Sequence, residues 1–158
     1  MASPLSITLT AARAADTQAI AERLGRLLAV GDVLALIGPL GAGKTTFVQG
    51  LARGLDVPGD RNVASPTFAL VTEHPGRIPL VHADLYRIEH ERELTELGLT
   101  DAYDRAAVAI EWLDRFPDAA PADRLEIAID FAPNDGRRLT LTPGGPRAAA
   151  LTDQLARK

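Results

Sequence analysis

Apolar and polar positions divide the first part of this chain into strands and a helix. Residues 6–10 alternate polar and apolar side chains, which predicts a short strand. Residues 17–30 carry apolar side chains at helical spacing, with Asp16 as the expected N-cap and Gly31 as the expected stop. Val33–Ile37 is an uninterrupted apolar run, which is typical of a strand covered on both faces.

The rest of the chain predicts two antiparallel hairpins and several further elements. Residues 68–73 and 78–84 have strand patterns separated by only four residues, too few for a crossover helix. Residues 124–131 and 138–141 flank an Ala-Pro-Asn-Asp-Gly turn, which predicts a second hairpin. The other predicted elements are a helix over 44–54, one or two short helices between 89 and 104 with a stop at Gly98, a strand over 107–111, a loop over 116–121 and a final helix over 148–157.

These elements predict an α/β fold. Strands alternate with helices, and the hairpins add antiparallel edges to a parallel core, so we expect a three-layer α/β domain with a mixed sheet. A length of 158 residues is enough for one domain, and we expect residues 1–158 to form it.

A glycine-rich loop follows the apolar run Val33–Ile37. Gly-Pro-Leu-Gly-Ala-Gly-Lys-Thr-Thr over 38–46 matches G-x-x-x-x-G-K-[ST] at a strand-to-helix junction, where backbone N–H groups turn inward around phosphate oxygens. Among seventeen basic residues only Lys44 and Lys158 are lysines, and a flexible ammonium suits a position between β- and γ-phosphates. With this loop, the expected fold is a three-layer P-loop NTPase domain with a mixed sheet. A plain turn is the alternative reading of the loop. The residues predicted to hold the nucleotide are Gly38, Gly41, Ala42, Gly43, Lys44, Thr45 and Thr46.

Two carboxylates are candidates for the Mg²⁺ that accompanies a nucleoside triphosphate. Asp84 and Glu111 each follow an apolar run, and ligand crevices of open α/β sheets lie at the carboxyl ends of strands. The Thr45 hydroxyl is the third predicted metal ligand, and Lys44, Asp84 and Glu111 are the candidate catalytic residues. Each carboxylate is also compatible with a loop residue or a helix N-cap. Spacing does not say which one binds the metal and which aligns water.

Other segments carry weaker signals. Two hydroxyls flank a stiff proline in 65–68, Ser-Pro-Thr-Phe, as in a segment that reports on a γ-phosphate, but a turn before a strand is favoured. His82 shares a strand face with Asp84, and a hydrogen-bonded packing role is favoured for it. Trp112 suits either the core or a partner contact. For the adenine no motif exists, and the guesses are Thr10, Thr17 and Arg137.

Composition excludes several classes of function. A net charge of −4 without a Lys/Arg run argues against a surface that grips nucleic acid directly. The absence of cysteine excludes disulfides and thiolate metal sites. The N-terminus has no basic segment followed by an apolar run, and no apolar run is long enough to span a bilayer. We therefore expect a cytoplasmic protein with no membrane contact.

The order of the motifs resembles a known family. The segments 41–47, Gly-Ala-Gly-Lys-Thr-Thr-Phe, 65–68, Ser-Pro-Thr-Phe, 82–87, His-Ala-Asp-Leu-Tyr-Arg, and 111–112, Glu-Trp, are similar to the small bacterial ATPases of the TsaE family, also known as YjeE. The resemblance covers nearly the whole chain. The loop is shared by a very large superfamily, whereas the segments 65–68 and 82–87 are specific to this family.

The resemblance implies ATP and Mg²⁺ as ligands and a role in tRNA modification. The family is required for placing the threonylcarbamoyl group on the adenosine next to the anticodon, in tRNAs that read codons beginning with adenine. It assists the partner proteins TsaD and TsaB, and TsaD carries out the transfer chemistry. The family contacts tRNA only indirectly, through the complex. Slow hydrolysis is expected to reset that complex between turnovers.

The resemblance also implies residue roles. Lys44 and Thr45 bind phosphate and Mg²⁺, Glu111 is the favoured second metal ligand, and Asp84 serves hydrolysis or coupling to the partners. The residues expected at the partner interface are Ser65, Thr67 and Trp112. Two departures from the family pattern are Pro39, where many members have Asp, and Leu113, where a proline is frequent.

Two other functions fit a P-loop. A small-molecule kinase needs a lid whose arginines close over the phosphates, and only Arg87, Arg92, Arg137 and Arg138 are available in short segments. A nucleotide-gated binding module would need the loop but not hydrolysis. A Glu111→Gln variant that binds ATP without hydrolysing it, yet supports tRNA modification, would favour this last function.

Overall fold

Seven strands and four α-helices make up the regular structure of the described residues, which are 5–59, 63–66 and 70–157 of a computed structural model. The strands are β1 (Ile7–Ala11), β2 (Val33–Ile37), β3 (Val71–His74), β4 (Leu80–Asp84), β5 (Ala107–Glu111), β6 (Leu125–Phe131) and β7 (Arg137–Pro143). The α-helices are α1 (Ala14–Leu27), α2 (Lys44–Gly54), α3 (Leu99–Tyr103) and α4 (Pro146–Ala156). Short 3₁₀ segments cover Glu91–Leu97, Leu113–Arg115, Pro117–Ala119 and Pro133–Asp135.

The strands form one mixed sheet in the order β1-β7-β6-β2-β5-β4-β3. The four central strands β6, β2, β5 and β4 are parallel, whereas β3 pairs with β4, β7 with β6 and β1 with β7 in antiparallel fashion. Both predicted hairpins are therefore confirmed. The parallel centre brings the carboxyl ends of β2, β4 and β5 to one edge of the sheet, where the glycine-rich loop begins.

Two hydrophobic clusters cover the faces of the sheet. On one face α1, α2 and α4 pack side chains such as Leu24, Phe47 and Leu151 against β2, β6 and β7. On the other face α3 and the 3₁₀ segments contribute residues such as Leu99 and Leu113. The predicted three-layer α/β architecture is confirmed, although short helical turns form much of its second outer layer.

Helices α1 and α2 cross closely at glycines. A Cβ on Gly54 would overlap the carbonyl oxygen of Glu22 and the Cα of Gly25, and a Cβ on Gly50 would overlap the carbonyl oxygen of Gln18. The missing side chains allow backbone contact between the helices, and this contact fixes the direction of α2 behind the glycine-rich loop.

Several predicted boundaries are wrong for physical reasons. Helix α1 begins at Ala14 with Arg13 as N-cap, and the carboxylate of Asp16 accepts a 3.0 Å hydrogen bond from the backbone N–H of Arg13. Asp16 therefore caps from the third helical position, not from the N-cap position. The helix stops at Leu27, before the predicted Gly31. Predicted strand residues 68 and 69 lie outside the described part of the chain.

The last helix begins at Pro146, two residues before the prediction. Both carboxylate oxygens of Asp123 accept hydrogen bonds from its first turn, at 2.9 Å from Arg147 N and 2.9 Å from Ala148 N. Proline is favoured in a first helical turn, and the cap comes from a residue distant in the chain. Within the described residues, no helix is long and apolar enough to cross a membrane.

Candidate nucleotide-binding site

The glycine-rich loop leaves the first turn of α2 open. Gly41 and Gly43 adopt left-handed φ values of 80° and 112°, which glycine tolerates at no steric cost. Among the residues that the structure describes, no side chain caps the helix at Gly43, and the first intrahelical bond runs from Phe47 N to Gly43 O at 2.9 Å. The N–H groups of residues 44–46 therefore point out of the helix start, where the macrodipole favours an anion.

Lys44 is a buried cation inside this loop. Its Nζ donates to Gly38 O at 2.5 Å and to Pro39 O at 3.1 Å. Burial lowers the pKa of Lys44 from its ordinary value, while the charges of Glu111, Asp84 and Asp114 act in the opposite direction. A group of anionic phosphate oxygens would compensate the same charge.

The two candidate carboxylates stand side by side at the strand ends. Asp84 and Glu111 are register partners in the parallel pair β4–β5. Asp84 Oδ2 accepts a 2.8 Å hydrogen bond from Ser65 Oγ, and its Oδ1 accepts one of 2.9 Å from the N–H of Tyr86. Ser65 thus contacts a candidate catalytic group, a position that the sequence pattern did not show.

Glu111 has a different partner. Its Oε2 lies 2.6 Å from Nε2 of His82, and both residues are buried. A carboxylate only accepts hydrogen bonds, so His82 donates through Nε2–H. The expected hydrogen-bonded role of His82 is confirmed, with the candidate metal ligand as its partner.

Trp112 contacts both the lysine of the glycine-rich loop and Tyr86. Its ring centroid lies 4.5 Å from Lys44 Nζ and 5.0 Å from the ring of Tyr86, which is half exposed. The backbone of Trp112 has a φ of 64°, a left-handed conformation that costs a non-glycine residue about 1–3 kcal/mol and that is common at functional sites. Trp112 is partly buried: it packs against the hydrophobic cluster of Leu99 and Leu113 and also lies against Lys44. The core alternative is therefore confirmed in part, and the partner contact stays a prediction.

These groups line one open cleft of about 320 Å³. Its lining residues are Leu40, Gly41, Gly43, Lys44, Thr45, Thr46, Ser65, Asp84, Tyr86, Glu111 and Trp112. The structure thus brings most of the predicted phosphate, metal and catalytic residues together, whereas Gly38 and Ala42 do not line this cleft. Thr67, predicted at the partner interface, lies outside the described residues.

A second, smaller cleft of about 110 Å³ lies on the other side of the loop. It is lined by Arg13, Ala14, Thr17, Gly41, Ala42, Gly43, Thr46, Asp135 and Arg137. Two of the three guesses for the adenine therefore share a cleft, whereas Thr10 lines neither of the two. No motif in the sequence pointed to Arg13 or Asp135.

Arg137 braces the loop. Its guanidinium donates to Ala42 O at 2.9 Å and to Gly41 O at 3.3 Å, and it lies 4.8 Å from the ring centroid of Phe131. Because these two carbonyl oxygens bond Arg137, they are occupied, and the amide N–H groups of the loop are left to bind a ligand.

The donor set fits Mg²⁺. The Thr45 hydroxyl and the carboxylates of Asp84 and Glu111 line the same cleft, and hard oxygen ligands are what Mg²⁺ prefers. In the part of the chain that the structure describes, no cluster of three or more His, Cys, Asp or Glu side chains forms a complete metal cage. Mg²⁺ typically takes one or two protein ligands and completes its shell with phosphate oxygens and water.

The site combines a buried parallel strand, a glycine-rich loop and an open helix start with carboxylates at the ends of the adjacent strands β4 and β5. These features together define a P-loop α/β protein. The family model described as "Threonylcarbamoyl adenosine biosynthesis protein TsaE" matches residues 11–139. The chain belongs to the TsaE family.

Individual relatives agree with this assignment. The chain is 42% identical to the tRNA threonylcarbamoyladenosine biosynthesis protein TsaE of Bacillus subtilis, over 90% of this chain and 89% of that protein. It is 40% identical to the Nostoc protein of the same name, over 76% and 75% of the two chains. The crystal structure of Bacillus subtilis YdiB superposes with a TM-score of 0.82 at 34% identity, covering 97% of this chain and 95% of that one.

Proposed function

We propose that this chain is a Mg²⁺-dependent ATPase that assists formation of threonylcarbamoyladenosine next to the anticodon of tRNAs reading codons that begin with adenine. Membership of the TsaE family supports the pathway. One observation carries the ATPase function: Lys44, Thr45, Asp84 and Glu111 line a single cleft at the open start of α2.

Each group in the cleft has a definite task in this proposal. The ammonium of Lys44 moves from the carbonyls of Gly38 and Pro39 to the β- and γ-phosphate oxygens, and the amides of residues 44–46 hold the phosphates. Thr45 and Glu111 hold Mg²⁺, directly or through water. Bound Mg²⁺ neutralises charge on the phosphate oxygens.

Asp84 is the proposed group that aligns the attacking water. Water adds to the γ-phosphorus while the bond to the β,γ-bridging oxygen breaks, giving ADP and inorganic phosphate. Ser65 and the Tyr86 amide hold the Asp84 carboxylate, so a movement of either segment changes its direction. This connection offers a route by which a partner that contacts the segment around Ser65 alters hydrolysis.

Hydrolysis by the chain alone is expected to be slow. Within the described residues the cleft has no arginine in its lining, and an arginine supplied to the transition state accelerates such reactions by about 10³–10⁵. The same lack disfavours the kinase alternative, because kinases of this size need lid arginines over the phosphates. We assign the adenosine end of the nucleotide to the second cleft, beside Thr17 and Thr46.

The mouth of the cleft is the proposed contact for TsaD and TsaB. Leu40 is 69% exposed and Tyr86 is 50% exposed, and both lie at the cleft with Trp112. Exposed apolar groups of this kind are common at protein interfaces. The tRNA is reached only through the complex, and we propose a cytoplasmic location without membrane contact.

The decisive experiment measures ATP hydrolysis with and without TsaB and TsaD. We expect slow turnover that rises with both partners and that disappears in Lys44→Ala, while Arg26→Ala serves as a control that removes an exposed charge. Transfer of labelled γ-phosphate to a metabolite, with none released to water, would instead establish a kinase. A protein that binds no adenine nucleotide would overturn the proposal.

A second variant separates the ATPase from a nucleotide-gated binding module. Glu111→Gln is expected to bind ATP, to lose hydrolysis and to fail in threonylcarbamoylation when it replaces the normal protein. Full tRNA modification by this variant would show that hydrolysis is irrelevant and would favour the binding module.

A further inference from the structure

His82 and Glu111 form a buried pair behind the nucleotide cleft. The Nε2–Oε2 distance is 2.6 Å, and the side chains are 0% and 4% exposed. The cleft is lined by Glu111 but not by His82. His82 therefore reaches the cleft only through the carboxylate that it contacts.

The sheet places this pair with little freedom. His82 is the register partner of Ala109 in the parallel pair β4–β5, and Glu111 lies two residues further along β5 on the same face. Central strands with both faces covered move little, so the donor is held at a constant distance from the carboxylate. The position depends on register and not on a flexible loop.

The hydrogen bond from His82 engages one carboxylate oxygen of Glu111, Oε2, and does not engage the other, Oε1. Among the described residues, the structure shows no hydrogen bond to the side chain of Glu111 other than the one from His82. The backbone carbonyl of Glu111 accepts from Leu85 N. With Oε2 held by the imidazole, rotation of the carboxylate is restricted, and Oε1 is left for a ligand. A hydrogen bond of this kind also polarises the carboxylate and restricts its orientation toward a ligand.

Packing alone does not explain a histidine at this place. Nδ1 of His82 is buried without a hydrogen-bond partner in the described part of the chain, and so is Oγ1 of Thr72, its neighbour in register on β3. A buried polar atom without a hydrogen-bond partner lowers the stability of the fold by about 1–3 kcal/mol, and a leucine at this position would avoid that loss. The compensating gain is the donor at Nε2.

We propose that His82 is a positioning residue that holds Glu111 in the orientation needed to bind the Mg²⁺ of the nucleotide complex. This inference rests on the proposed function. His82 does not touch nucleotide or metal itself. Its removal weakens Mg²⁺ binding while leaving phosphate binding by Lys44 and the helix start intact.

The test measures affinity for a non-hydrolysable ATP analogue by calorimetry, with and without Mg²⁺. In the unmodified protein Mg²⁺ should tighten binding. In His82→Leu we expect that tightening to fall by on the order of tenfold, with the Mg²⁺-free affinity unchanged within about twofold. His82→Gln places an amide N–H near the position of Nε2 and should retain most of the Mg²⁺ effect.

Two further variants exclude a merely structural effect. His74→Leu removes another buried histidine, at the opposite end of the β3–β4 pair, and should leave the Mg²⁺ effect unchanged. If His82→Leu does not fold, His82→Asn replaces it, because the shorter amide does not reach Glu111 and should lose the Mg²⁺ effect. In a Glu111→Gln background, substitution of His82 should add no further loss.

The outcomes separate this inference from the proposed function. Unchanged Mg²⁺-dependent tightening in His82→Leu, or in His82→Asn, overturns the positioning role while the ATPase proposal stands. An equal loss of Mg²⁺-free affinity in the Leu, Gln and Asn variants also overturns it, because that result indicates general damage to the site. Absence of any nucleotide binding by the unmodified protein overturns both.

Discussion

The ammonium of Lys44 lies 4.5 Å from the ring centroid of Trp112, and the same nitrogen donates to two carbonyls of the glycine-rich loop. The only tryptophan of the chain therefore lies against the cation that would bind phosphate. Arg115 links this region to the end of β4 through hydrogen bonds to the carbonyls of Leu85 and Tyr86. Movement of Lys44 would change the surroundings of the indole ring and, because that ring contacts Tyr86, those of the exposed tyrosine as well.

The first prediction concerns the fluorescence of Trp112. Binding of ATP should change its emission, because phosphate draws the Lys44 ammonium away from the ring and removes a cation–π contact worth about 0.5–2 kcal/mol. The measurement is a fluorescence titration with ATP and with ADP. Lys44→Ala should show no nucleotide-dependent change. An unaltered spectrum at nucleotide concentrations that calorimetry shows to be saturating would contradict the prediction.

The second prediction concerns the hydrogen bond between Ser65 and Asp84. Ser65→Ala removes the 2.8 Å bond to Oδ2, and we expect turnover of ATP to fall by on the order of tenfold with little change in nucleotide affinity. Ser65→Thr keeps a hydroxyl and should retain most of the activity. Equal kcat values for the Ala variant and the unmodified protein would show that Asp84 needs no such support.

The third prediction concerns the crossing of α1 and α2. An alanine in the middle of a helix normally stabilises it relative to glycine by about 1 kcal/mol. Gly50→Ala, in the middle of α2, should instead lower the free energy of unfolding by about 1–3 kcal/mol, because its Cβ overlaps the carbonyl oxygen of Gln18 and the Cβ of Ala21. Urea unfolding measures the difference. Gly59→Ala, with no atom of the described residues within 4 Å of the added Cβ, should change stability little.

The fourth prediction concerns the anchor of α4. Arg147 donates to both oxygens of buried Asp32, at 2.8 Å from Nε and 2.8 Å from Nη2. Arg147→Ala leaves that carboxylate without its cation and should lower the free energy of unfolding by about 1–2 kcal/mol, less than for a fully buried pair because the arginine side chain is 41% exposed. In an Asp32→Ala background the same substitution should cost much less, and equal losses in both backgrounds would show that the pair is not coupled.

The fifth prediction concerns alkaline pH. Burial raises the pKa of Tyr103 to about 12 from 10.0, and its hydroxyl donates to Ala119 O at 2.9 Å. The folded protein therefore keeps a proton that the unfolded chain loses. This contribution to stability is complete below pH 10 and is lost as the pH rises toward 12. Tyr103→Phe should flatten this part of the unfolding profile, and a profile identical to that of the unmodified protein would contradict the assignment.

Local patterns were sufficient for several elements. The strands β2 and β5 and the helix α2 begin and end at the predicted residues, because a short apolar run or a loop-to-helix motif is complete within a few positions. The glycine spacing likewise predicted the open helix start. The pairing within each hairpin followed from the length of its connection.

Boundaries that depend on distant groups were not predictable in this way. Helix α4 starts where Asp123, far away in the sequence, caps its first turn. The sequence left Trp112 open between the core and a partner contact, and only the structure shows that it packs against a hydrophobic cluster and lies 4.5 Å from Lys44 Nζ. No periodicity in the sequence contains these contacts.

The sequence by itself determined the loop, its lysine, the two strand-end carboxylates and the mixed α/β class, since each depends on residues close together in the chain. Only the tertiary structure decided which groups meet. The strand order sets β5 between β2 and β4, and this neighbourhood puts Glu111 beside Asp84 and within 2.6 Å of His82. Strand order and register come from the packing of whole faces against helices, a global balance that a local pattern does not encode.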